Sequence, residues 1–157
     1  MFLVDDGSLP EILFSELKVA QIADGYRLLL SLTTQFRGGS NYWSLAECRD
    51  IEVTMADTVE GVFGAADCPH FHVVLAGVRT PSGIQVPVLG VSVDAESLSV
   101  DYRMGLDWNS EAVAGLMEIA SMVADVTACQ KVEHTCNNND PTGSRLLTLL
   151  RACGRNA

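Results

Sequence analysis

Apolar and polar positions alternate most clearly between Cys68 and Met104, and the rest of the chain is read around that stretch. Phe71 to Val78 is rich in β-branched residues and too short for a convincing helix, so it predicts a strand. Pro81-Ser82-Gly83 follows as a tight turn, Pro fixing φ and Gly tolerating a positive one. Ile84 to Val93 predicts the second strand. Pro87 inside it cannot donate a ladder hydrogen bond, which implies a free edge or a bulge there. Asp94 to Ser97 turns the chain again. Leu98, Val100, Tyr102 and Met104 then alternate with Ser99, Asp101 and Arg103, a half-buried strand with a wet outer face. The sum is a three-stranded meander.

Elsewhere the pattern changes period. Ile12 and Phe14 alternate, and Asp6-Gly7 before them is a hairpin signal that would return the run Met1 to Val4. Ser8 and Glu11 also make a capping box for a helix over residues 9–17; the alternation and Pro10 favour the strand. From Lys18 to about Phe36, Val19, Ile22, Ala23, Tyr26, Leu29, Leu30 and Thr33 recur at helical spacing around a costly Gly25. Arg37 to Ser40 is a link. Ser44 and Glu47 form a capping box for a brief helix, and Ile51, Val53 and Met55 alternate as a further strand. Thr58 to Ala65, with Gly61 and Gly64, is ambiguous. Asn109 and its neighbours cap a long helix over 110–129, whose polar stripe (Glu111, Gly115, Glu118, Asp125) is narrow enough to imply deep burial or an interface. Asn137 to Pro141 is a loop before a last helix ending at Arg151. The expected architecture is one α+β domain over residues 1–157. Its antiparallel sheet has about five to six strands, with two to three helices mainly on one face.

Length and composition fit that expectation. A chain of 157 residues buries roughly 68–70% of its unfolded surface without disulfides or metal. Five scattered cysteines and an acidic rather than basic amino-terminal stretch, with no apolar run near membrane-spanning length, point to reduced thiols in a cytoplasm. Charge changes the picture more. Twenty acids face ten bases, a net charge of −10, and because Arg145, Arg151 and Arg155 fall in an acid-free tail, residues 1–140 carry −13. Phosphate-neutralising surfaces need the opposite sign, so nucleic acid and anionic membranes are disfavoured as partners and a basic protein is favoured.

Candidate chemistry is sparse. Val4-Asp5-Asp6-Gly7 resembles the first motif of haloacid-dehalogenase-type phosphatases, but Val4 stands where the nucleophilic aspartate belongs. Cys68, His70 and His72 would project from one face of a strand. They could chelate zinc with help from Cys129, His134 or Cys136, although the spacing matches no structural zinc pattern. The glycine-containing stretches at 37–40 and 141–145 are not phosphate loops. No cofactor is implied. Tyr42, Trp43 and Trp108 stand beside carboxylates, a combination suited to filling a partner's pocket while steering its positive charge. On that reasoning the candidate partner-binding residues are Tyr42, Trp43, Glu47, Asp101, Arg103, Asp107, Trp108 and Glu111, with Cys68, His70 and His72 as the alternative, metal-binding set of a metal protein or hydrolase.

In layout the chain resembles bacterial toxin-immunity proteins. The resemblance rests on Asp6-Gly7-Ser8-Leu9-Pro10 leading into the first helix and Asp101-Tyr102-Arg103-Met104-Gly105 with Trp108 leading into the long one. It implies a non-catalytic inhibitor that masks a basic toxin or enzyme by direct binding, and it carries no functional residue over. The largely apolar 110–129 helix also permits a homodimer.

Overall fold

The structure, a computed structural model, describes residues 9–38 and 40–135. Within them lie eight strands and three helices in the order β1 (Glu11–Ser15), α1 (Val19–Ser31), β2 (Gln35–Phe36), β3 (Asn41–Ser44), β4 (Arg49–Glu52), α2 (Val59–Ala65), β5 (His70–Ala76), β6 (Leu89–Asp94), β7 (Ser97–Tyr102), α3 (Ser110–Val126) and β8 (Lys131–Thr135). Six strands form one antiparallel sheet in the order β2-β5-β6-β7-β1-β8, and β3 and β4 form a separate hairpin. The fold is α+β, with the expected meander as β5-β6-β7.

Register sorts the sheet into two faces. On one face Phe14, Leu98, Val93 and Phe71 lie side by side across four strands, and Ile12, Val100, Val91 and Val73 make the next row. All eight side chains are buried. The helices cover this face. Gly25 of α1 brings that helix so close that an added Cβ would lie 2.8 Å from both Leu98 and Thr127, which explains the glycine in the helical pattern. Gln21 then ties the two long helices together: its carbonyl accepts from the Lys18 N–H at 2.9 Å while its amide donates to the Thr127 carbonyl at 2.6 Å. On the opposite face the same strands present His72, Ser92, Ser99 and Leu13 in one row and Val74, Gly90, Asp101 and Glu11 in another.

Several expectations need correction. The ladder of β6 starts only at Leu89, because Pro87 has no N–H to give it; Ile84 and Val86 instead pack on Gly115 of α3. Gly115 is therefore buried, not part of the polar stripe. α1 stops at Ser31, where Leu32 and the Thr33 hydroxyl, bonded to the Leu29 carbonyl at 2.7 Å, close the last turn before β2 joins β5. The capping signal at Ser44 and Glu47 closes a hairpin turn instead of opening a helix, with the Ser44 hydroxyl accepting from the Glu47 N–H. Thr58 to Ala65 resolves as α2, its Thr58 hydroxyl accepting from the Gly61 N–H. β1 pairs with β7 and β8, and β8 itself was not foreseen. Residues 1–8, with the expected partner run and Asp-Gly turn, and the loop and helix expected over 137–151 lie outside the described residues. No helix among the described residues is long and apolar enough to cross a membrane.

Replacing Gly25 by Val should overpack the α1–α3–β7 junction and destabilise the protein by about 1–3 kcal/mol, read as a lower urea midpoint at unchanged slope.

Candidate partner-binding surface

The β3–β4 hairpin has an inner and an outer side. Tyr42 and Ile51 pair on the inner side, and Tyr42 packs against the core. Trp43 pairs with Asp50 on the outer side, with Asn41 and Glu52 as the next pair along it. Trp43 is 49% exposed, and Leu45 in the adjoining turn is 58% exposed. The turn is held by the Cys48 N–H donating to the Ser44 carbonyl at 2.9 Å. Glu47 is engaged by Arg49, whose Nε donates to it at 2.8 Å; both are exposed, so the pair contributes at most about 1 kcal/mol. The result is an indole in solvent, flanked by two carboxylates, Asp50 and Glu52, that have no Arg or Lys partner among the described residues. Neither acid was among the sequence-derived candidates; their period-two spacing around Ile51 was the available signal.

Trp108 behaves differently. It is only 3% exposed, its ring lies 5.2 Å from that of Tyr102, and its indole N–H donates to the Arg103 carbonyl at 2.7 Å. It anchors the β7–α3 connection from inside and offers no ring to a partner. Its neighbours remain at the surface: Asp107 and Glu111 line an open cleft of about 800 Å³ with Arg79, Gln85 and the 85%-exposed Leu106. This cleft includes Gly77, just past the end of β5, whereas the Trp43 carbonyl accepts from Asp67, just before its start. Seven strand residues separate those ends, on the order of 20 Å. The candidate residues thus form two groups at opposite ends of the sheet.

Asp101 belongs to neither group. It sits on β7 beside Gly90 of β6, and because Gly90 has no side chain the carboxylate lies across that strand. It reaches His72 of β5, Nε2 to Oδ2 at 3.0 Å, two strands away. This hydrogen bond is the main cause that raises the His72 pKa; partial burial opposes it and the Asp101 charge adds to it. His70 makes a second such pair, Nδ1 to Asp94 Oδ1 at 2.7 Å. Both histidines of the proposed metal set are thus engaged one-to-one by carboxylates, and Cys68 is exposed before the strand. Two of the supporting ligands have other roles. The Cys129 thiol, its pKa pushed up by burial, faces the Ser15 and Lys131 carbonyls, and His134 Nε2 lies 2.9 Å from the Tyr102 hydroxyl. Among the described residues no group of three or more His, Cys, Asp or Glu side chains is disposed to hold a metal ion.

The fold is similar to that of a chain in a toxin–immune-protein complex. A chain of the crystal structure of the toxic C-terminal tip of CdiA from Pseudomonas aeruginosa, in complex with its immune protein, superposes with a TM-score of 0.56 over 82% of this chain and 86% of that one. The two are 14% identical, so what they share is the fold. No family model matches the sequence, and no curated protein does.

The His72–Asp101 pair sets a pH dependence. Its folded pKa is raised above the unfolded value of about 6.5, so its stabilisation is fully present below that pH and is lost as pH rises through the folded pKa. In Gly90→Ala the new Cβ would fall on the Asp101 carboxylate, and NMR titration of His72 should show its pKa moving back toward the unfolded value. An unchanged titration would mean Asp101 does not act through the Gly90 gap.

Proposed function

We propose that this chain is a non-catalytic binding protein, an immunity protein or inhibitor that neutralises a basic toxin or enzyme in a bacterial cytoplasm by direct contact. The observation that carries the reading is the fold shared, across most of both chains, with a chain of a toxin–immune-protein complex. A fold alone does not imply a function, so the surface has to agree with it. Twenty acids against ten bases give the long-range field that speeds encounter with a positively charged partner. Trp43, half exposed between Asp50 and Glu52, has the form of an aromatic anchor with an acidic rim. The free thiols Cys48, Cys68 and Cys129 fit a reducing compartment.

In this reading the hairpin makes the central contact, and Asp107 and Glu111 at the far cleft contribute mainly to steering. Arg103 and Asp101 lie outside the central contact, Asp101 being held by His72. The experiment is a binding titration against the basic protein retained from the native host, or encoded by the adjacent reading frame. Trp43→Ala should weaken the complex by about 2 kcal/mol or more, chiefly by faster dissociation. Asp50→Lys with Glu52→Lys should instead slow association and flatten its salt dependence. Binding indifferent to both changes would remove the hairpin from the interface, and absence of any basic partner would overturn the function.

A further inference from the structure

We propose that Trp43, with Asp50 and Asp67 on its two flanks, is a receptor for a single arginine side chain of the protein partner, an inference that rests on the binding role proposed above. β3 is bordered on both edges. The Val53 N–H donates to the Ser40 carbonyl at 2.6 Å, so pairs alternate along the hairpin from there. Trp43 and Asp50 then fall at a non-hydrogen-bonded position, with Cα atoms about 4.5 Å apart and side chains at their closest. On its other edge β3 meets the chain leaving α2. Ser44 bridges Ala66, framed by the Leu45 N–H on the Ala65 carbonyl and the Asp67 N–H on the Trp43 carbonyl, both at 3.0 Å. Paired residues share a face, and successive pairs alternate. Ser44 and Ala66 are buried, so the next pair, Trp43 and Asp67, lies together on the exposed side. The outer row reads Asp50, Trp43, Asp67, with Glu52 diagonal to the indole.

Charge and shape select the occupant. Arg49 is the one basic residue between Asn41 and Glu52, and Glu47 takes it up at 2.8 Å. Among the described residues no Arg, Lys or His pairs with Asp50, Glu52 or Asp67. An indole pressed into an apolar pocket would drag these carboxylates onto apolar surface and strip their water. A cation laid over the ring is instead attracted to the π-face and meets the carboxylates at the same time. Arginine fits better than lysine. Flat on the ring, its N–H donors point outward in the plane toward the acids on either side, whereas an ammonium has no such fork. Backbone bonds on both edges of β3 fix the strand before binding, so little ordering is left to the encounter.

The test follows the two indole N–H signals of the full chain by NMR during titration with capped tripeptides that hold arginine, lysine or citrulline between two glycines. Citrulline has the shape of arginine without its charge. The Trp43 signal should shift saturably with the arginine peptide, at least roughly tenfold more tightly than with citrulline, more tightly than with lysine, and less so as salt is raised. The signal of buried Trp108 should stay in place. Asp50→Asn and Asp67→Asn alter exposed side chains at constant shape, so each should leave the rest of the spectrum unchanged and weaken the arginine peptide roughly two- to fivefold. Trp43→Leu keeps apolar bulk without a π-face, and the backbone amides of Asp50 and Asp67 should then no longer respond. Absence of a saturable shift, equal affinity for arginine and either of the other peptides, or undiminished binding in Asp67→Asn overturns the inference. Capture of a basic partner that survives Trp43→Leu undiminished overturns the receptor alone, while failure of the unaltered chain to capture one overturns the broader reading.

Discussion

The register of the six-stranded sheet is the constraint on which the rest depends. Side chains alternate across a strand, so the pairing of Phe14 with Leu98, Leu98 with Val93 and Val93 with Phe71 determines which side faces the helices. A slip of one residue would bury His72, Asp101 and Glu11 and expose the core rows. The cost would far exceed the net stability of a domain. Locking that register lets a single missing side chain matter: the gap at Gly90 lets Asp101 cross a strand to His72. The polar face is thereby organised by pairs whose members come from different strands.

The helical layer obeys the same logic. Its inner side is set by the sheet, and Gly25 and Gly115 show how closely the layer is packed. Its outer side carries Glu111, Glu118 and Asp125 toward solvent. A hairpin with a half-exposed tryptophan is expensive to leave in water, and it lies beside carboxylates. An acidic surface interrupted by apolar anchors suits a protein that meets a positively charged one.

Much of the fold was legible because local pattern and tertiary role coincide. The meander and the two long helices alternate at their own periods, and the punctuation by Pro, Gly and Asn marks their ends. What stayed hidden depends on distant residues. β8 has Val132 as its one strongly apolar residue, because an edge strand needs little more, and β2 is two residues long. Ser44 and Glu47 make the same local hydrogen bond in a hairpin turn as in a helix cap, so the pattern could not choose between them. At the surface, the carboxylates beside Trp43 accompany an exposed indole. Trp108, beside carboxylates too, is buried, because the Tyr102 ring that covers it sits six residues earlier in the chain, on a strand whose inward face was not tied to the loop. Nor could the His72–Asp101 pair be read from spacing, since it is made through Gly90, two positions before Ser92, the residue opposite His72.

The claim that this acidic chain works by holding a basic protein is tested most directly by native mass spectrometry of the untagged protein isolated from cells that make it at natural levels. The account predicts a stoichiometric complex with a basic protein that dissociates as salt is raised. The chain found free at every ionic strength, or bound only to an acidic protein, would contradict it.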